Sequence, residues 1–208
     1  QMCIRDSMFA AARFQYPPKS GETRKPCTVT RHNHTNFIRI GWMPCNISYF
    51  EHKIPGIDDS TATFVGYCLD NSKEIDPDRR RPSVLVIPGG GYEMTSDREA
   101  EPIAMQFLAA GFNAFVLRYS VKPSVFPVAL LEAAEAVRRM RAHAAEWHVD
   151  GDRIAVIGFS AGGHLAANLA TSASDDVLAA HGYDPNAVRP NALMLAYPAI
   201  TSLSLIHI

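Results

Sequence analysis

Gly158-Phe159-Ser160-Ala161-Gly162-Gly163 lies between the apolar run Ile154-Ala155-Val156-Ile157 and the helix-like Leu165-Ala166-Ala167-Asn168-Leu169. A Gly-x-Ser-x-Gly in that setting predicts a strand, a sharp turn carrying the serine, and a helix. Glycines around the serine permit a strained backbone that a Cβ on either side would block. Such a turn lifts the Ser160 hydroxyl clear of the sheet, and the amides at the helix start point at any anion that forms there. The bare pattern turns up by chance in roughly one chain in fifteen of this length. Its context decides: the strand before it, the helix after it and a second glycine motif upstream. Ser160 is the candidate nucleophile.

Both ends of the chain bear on where the domain begins and stops. Gln1-Met2-Cys3-Ile4-Arg5-Asp6-Ser7 reads back to CAG ATG TGT ATA AGA GAC AG plus one base, and Leu203-Ser204-Leu205-Ile206-His207-Ile208 to CTG TCT CTT ATA CAC ATC. With suitable codons the second is the reverse complement of the first across their shared bases. Unrelated termini have no reason to match in this way, whereas flanking copies of one adaptor sequence do; it resembles a transposon end used in library preparation. Residues 1–7 and 203–208 are therefore expected to be translated adaptor and carry no weight in the fold. Between them, 8–45 is an uncertain N-terminal segment and 46–202 a partial catalytic domain.

The composition, 47% apolar and 20% charged, is ordinary for a globular domain with a substantial core. A net charge of −1 gives no electrostatic case for nucleic acid or an anionic membrane. No apolar run approaches the roughly 18–20 residues of a membrane span. Outside the adaptor, Cys27, Cys45 and Cys68 are an odd, widely spaced set, neither a disulfide framework nor a metal-binding Cys-x-x-Cys. No cofactor or metal is implied. A cytoplasmic protein is the expectation, with secretion and oligomeric state left open.

From Ile47 onward the chain alternates strand and helix. Ile47–Lys53 and Thr61–Leu69 are predicted strands around a turn at Pro55-Gly56, followed by the polar stretch Asp70–Arg81. His32 and His34 stand in a polar stretch without further ligands at metal spacing, and Arg79-Arg80-Arg81 beside Asp76 and Asp78 predict a solvated turn. Val84-Leu85-Val86-Ile87 is a short buried strand. A helix from about Pro102 to Ala110 stops at Gly111, and Phe112–Tyr119 is the next strand. Between Pro127 and about Trp147, a long helix puts Leu130, Ala133, Val137, Met140, Ala144 and Trp147 on one stripe. Ile154–Ile157, the helix to about Ala170 and the strand Ala192–Tyr197 follow. This alternation predicts an α/β fold: a mostly parallel sheet with helices on both faces.

Pro88-Gly89-Gly90-Gly91-Tyr92 directly follows the strand ending at Ile87. Attack on an ester places negative charge on the former carbonyl oxygen, and backbone amides stabilise it where no side chain blocks them. A glycine triplet at the carboxyl end of a strand supplies such amides, and the residue after the nucleophile supplies another. Gly90, Gly91 and Ala161 are the candidate oxyanion-hole donors, and Tyr92 is a candidate substrate contact shaping the acyl pocket.

With Arg98-Glu99-Ala100-Glu101-Pro102-Ile103-Ala104, the Gly111–Tyr119 strand, Gly158–Ala166 and Arg189-Pro190 through Tyr197-Pro198, these motifs resemble a bacterial α/β-hydrolase esterase. The acetylxylan/feruloyl-esterase-like branch, related to the hormone-sensitive-lipase-like carboxylesterases, is the most similar group. The resemblance spans about residues 47–202. Pro88 stands where a histidine opens the lipase-like His-Gly-Gly-Gly, and Phe159 where an aspartate often precedes the serine; both fit the acetylxylan-esterase-like branch. It implies a serine carboxylesterase acting on short acyl esters, acetyl foremost, on small molecules or oligosaccharides.

In this fold the triad runs Ser, then Asp or Glu, then His along the chain. Asp175, Asp176 and Asp184 precede the strand at 192, His207 falls in the adaptor, and His164 belongs to the elbow helix, where a packing or supporting role is expected. The expected domain is therefore an α/β-hydrolase fold truncated after about its sixth strand. Its acid and base would follow that strand, and the chain as written is expected to be inactive. Two rivals remain: a serine peptidase on the same fold, and a non-catalytic binding module with a vestigial elbow.

Overall fold

The computed structural model describes residues 38–39, 47–53, 57 and 60–200. The readings of both termini, His32, His34, Cys27, Cys45, the Pro55-Gly56 turn and His207 lie outside these residues. The apolar runs form β1 (Ile38–Arg39), β2 (Ile47–Lys53), β3 (Thr63–Leu69), β4 (Arg81–Ile87), β5 (Asn113–Arg118), β6 (Val149–Phe159) and β7 (Ala192–Ala196). They assemble in the order β1-β2-β3-β5-β4-β6-β7. β2, β4, β5, β6 and β7 run one way, and β1 and β3 run against them. All six expected strands form. β1 is additional, and two residues are too short to leave an alternating signature.

The continuous apolar strands are buried on both faces because their side chains alternate between two cores. Leu85, Ile87, Phe115, Leu117, Ile154 and Val156 join one cluster with residues of α2 (Val128–Ala142) and α3 (Ala161–Ala170). Val84, Val86, Ala114 and Val116 join the other, with Ala104 of α1 (Glu101–Ala109). Each fully buried Val, Leu, Ile or Phe among them contributes about 1.5–3 kcal/mol. Two short helices, α4 (Asp175–Ala180) and α5 (Pro185–Val188), complete the described fold.

α2 is shorter than its apolar stripe suggests. It stops at Ala142, and the Asn113 amide takes the Trp147 and His148 carbonyls at 2.7 and 3.3 Å. Trp147 keeps its place on the stripe all the same, stacked on Phe50 with ring centroids 4.4 Å apart. Arg81 departs from the expected solvated turn: Arg79 and Arg80 are exposed, but Arg81 opens β4 and is buried. Its guanidinium donates to the Leu69 carbonyl at 3.1 Å and to Asn71 Oδ1, which offset the cost of desolvating the charge.

Chain order reverses around β4. α1 leads from β4 to β5 on one side, and α2 leads back across to β6 on the other. Ligands in open α/β sheets bind outside the carboxyl ends of the strands at such a switch point. Ile87 at the end of β4 is in register with Gly158 of β6, so both glycine motifs leave the sheet side by side. Among the described residues, no helix is long and apolar enough to cross a membrane.

Candidate active site

Ser160 sits between β6 and α3 with φ 49° and ψ −117°. A non-glycine residue held there costs about 1–3 kcal/mol and persists only where its surroundings impose it. Here the Ser160 N–H donates to the Ala196 carbonyl of β7, and its carbonyl accepts from the amides of His164 and Ala199, each at 3.1 Å. The turn also needs the start of α3 pressed against the end of β4. A Cβ on Gly162 would lie 2.3 Å from the carbonyl oxygens of both Ile87 and Pro88.

The Pro88–Tyr92 loop leaves β4 beside this turn. Gly90, at φ 131°, has Met94 O only 2.2 Å from where its Cβ would stand, and the Gly90 carbonyl accepts from the amides of Glu93 and Met94. Gly91 and Tyr92 follow at φ 67° and 58°. The N–H groups of Gly90, Gly91 and Ala161 find no acceptor among the described residues. Gly89 is different: its N–H donates to Glu99 Oε2 at 2.8 Å. A Cβ on Gly89 would lie 3.0 Å from Ser160 Cβ, so the loop that carries Gly90 and Gly91 runs directly beside the Ser160 turn.

Tyr92 ties this loop to the elbow helix. His164 Nδ1 lies 2.8 Å from the Tyr92 hydroxyl, and Asn168 Nδ2 lies 3.2 Å from His164 Nε2. With Asn168 donating to Nε2, a neutral imidazole carries its proton on Nδ1 and donates to Tyr92 Oη. Burial lowers the His164 pKa from its ordinary 6.5 and raises that of the Tyr92 hydroxyl. Both ring nitrogens of His164 are thus engaged, Nδ1 with the loop through Tyr92 and Nε2 with Asn168 of its own helix.

The lowered His164 pKa gives stability a sign. The unfolded chain takes up the histidine proton more readily than the folded one, so stability is complete above about pH 6.5 and falls as pH drops below it. Urea midpoints measured at about pH 7.5, 6.5 and 5.5 should decline, and less steeply in His164→Asn. His148, whose pKa burial also lowers, retains part of the slope. An identical slope in wild type and variant would contradict the buried neutral imidazole.

A cavity of about 330 Å³ opens on the His164 side of α3, walled by Tyr92, Val125, Phe126, Leu130, His164 and Leu165 among others. Ser160 is not one of its walls; the cavity begins one helical turn further along. Exposed apolar side chains also gather after the carboxyl ends of the strands: Met94 after β4, Val125 and Phe126 after β5, Tyr197 and Ile200 after β7. Asp175 pairs with Arg189 at 2.6 Å, Asp184 caps α5 through the Asn186 amide, and Asp176 is exposed. No hydrogen bond to the Ser160 hydroxyl forms among the described residues, and no group of three or more His, Cys, Asp or Glu there could hold a metal.

Sequence reading passed over Asn168, Glu99, Tyr197 and Glu132. His164 and Asn168 stand four apart on a helix, a legible spacing. Glu132 reads as one more charged residue of α2 but is fully buried. It accepts from Ser60 Oγ at 2.6 Å, from the Ser120 amide at 2.7 Å and from the Ser120 hydroxyl, and so fixes the chain after β5.

The BD-FAE family model matches residues 69–194 of the chain. The chain is 37% identical over 129 residues to Endo-1,4-beta-xylanase B of Butyrivibrio fibrisolvens, covering 60% of this chain and 20% of that protein. It is 29% identical over 145 residues to the Acetylxylan esterase of Xylanibacter ruminicola, covering 69% and 26%. Among solved structures, MGS-M1, an alpha/beta hydrolase enzyme from a Medee basin deep-sea metagenome library, superposes with TM-score 0.61 at 46% identity, covering 74% of this chain and 57% of its own. The chain thus spans about a quarter or less of the two curated relatives and over half of the solved one. A strained serine between strand and helix, a glycine loop beside it and a match across more than half the chain place it in the BD-FAE family, on the α/β-hydrolase fold.

Proposed function

We propose that the protein containing this chain is a serine carboxylesterase that hydrolyses short acyl esters, acetyl foremost, on small alcohols or oligosaccharides. The observation that carries this reading is the positive-φ Ser160 beside a glycine loop, with the Gly90, Gly91 and Ala161 amides finding no acceptor among the described residues. Ser160 attacks the acyl carbon, the three amides receive the developing oxyanion, the alcohol departs, and water releases the acid from the acyl-enzyme. The acid and base that activate the hydroxyl follow β7 in chain order. Tyr92 and the apolar cavity beyond it border the acyl or alcohol portion of the ester. The name of the 29% identical Acetylxylan esterase favours acetyl as the acyl group.

The test is chain-length preference in the full-length protein. p-Nitrophenyl acetate should turn over at least ~10-fold faster than the palmitate ester, because an acyl chain several methylenes long must find apolar surface beyond the site. Preference for palmitate would overturn the short-acyl reading while leaving the fold untouched.

A further inference from the structure

Resting on the esterase reading, we infer that Glu99 is a positioning residue that sets the geometry of the oxyanion loop. Its carboxylate spans two elements that flank Ser160. Oε2 accepts the Gly89 N–H at 2.8 Å, and Oε1 accepts the Tyr197 hydroxyl at 2.6 Å. Gly89 precedes the amide donors Gly90 and Gly91, and Tyr197 directly follows β7, whose Ala196 carbonyl holds the Ser160 amide. A single side chain thus clasps the loop after β4 to the strand that anchors the elbow.

Three further observations support the clasp. A Cβ on Gly89 would lie 2.8 Å from Glu99 Oε2 and 3.0 Å from Ser160 Cβ, so the carboxylate and the serine both crowd the space directly beside this glycine. The segment that carries Glu99 is tied to β5 on both sides of it in sequence: Arg118 pairs with Asp97 at 2.8 Å and with Glu101 at 2.6 Å. Tyr197 is kept at φ 39° with its ring against Phe159, centroids 6.0 Å apart, and its hydroxyl pKa is raised by the bond to Glu99.

The chemistry explains why a carboxylate suits this place. It accepts at both ends, so the Gly89 N–H is committed to Glu99 while the next two amides find no acceptor among the described residues. Without it the buried Gly89 N–H loses its acceptor and the loop relaxes by a fraction of an ångström. That displacement weakens oxyanion stabilisation with little effect on ground-state binding.

Full-length Glu99→Ala should lower kcat on p-nitrophenyl acetate by about 10- to 100-fold with KM within about two-fold, and weaken a trifluoromethyl-ketone inhibitor by a similar factor. Glu99→Gln, which still accepts from Gly89, should recover most of that loss, and Tyr197→Phe should cost only about two- to five-fold. Far-UV circular dichroism and the melting temperature check that each variant is folded. Unchanged kcat in folded Glu99→Ala overturns the inference, as does a rise in KM without loss of inhibitor affinity. If Ser160→Ala retains full activity, the assignment of Ser160 as nucleophile fails instead, whatever Glu99 does.

Discussion

Ser160→Ala in the full-length protein is expected to lower turnover of p-nitrophenyl acetate by on the order of 10⁴-fold or more. The hydroxyl is the atom that forms the acyl-enzyme, and the described site has no second nucleophile to replace it. His164 is engaged with Tyr92 and Asn168, and Cys68 is buried, with its thiol pushed upward in pKa chiefly by desolvation. Folding should be unaffected, since the Ser160 side chain makes no hydrogen bond among the described residues. Alanine accepts φ near 49° no worse than serine. Steady-state kinetics with active-site titration measure the effect. Activity within about ten-fold of wild type would require a different nucleophile.

Gly162→Ala should fail at an earlier stage, in folding. The added methyl would fall 2.3 Å from two backbone carbonyl oxygens at the end of β4, and backbone cannot swing aside as a flexible side chain does. Relief requires separating α3 from β4, which also disturbs the core around Ile87, Leu165 and Ala166. A cost of at least ~3 kcal/mol is a large share of a typical 5–15 kcal/mol stability. Little soluble protein should be recovered at 37 °C, and any recovered should melt many degrees lower. A soluble variant with wild-type melting temperature would show that elbow and loop are not pressed together.

The elements legible in the sequence were those whose signal is local. Val84–Ile87 and Ile154–Ile157 announced buried strands because a parallel sheet covered on both faces asks for continuous apolar residues. Ser160 was legible because only glycines fit around such a turn. Contacts between distant segments were not legible. Glu99 reaches Tyr197 across 98 residues, and nothing in Arg98-Glu99-Ala100 marks one carboxylate as a clasp and Glu101 as the partner of Arg118. Glu132 and Arg81 likewise read as surface charges, and only the fold supplies the hydroxyls and carbonyls that let them be buried. The end of α2 was misjudged for the same reason: Asn113, remote in sequence, takes the carbonyls of the turn that follows it.

Covalent labelling tests the central claim most directly. The full-length protein treated with a fluorophosphonate, digested and sequenced by mass spectrometry should carry the phosphonyl group on the peptide containing Gly158-Phe159-Ser160-Ala161-Gly162, at Ser160. Prior incubation with a trifluoromethyl ketone should block the labelling. Stoichiometric modification of a different residue, or activity lost with Ser160 unmodified, would contradict the account.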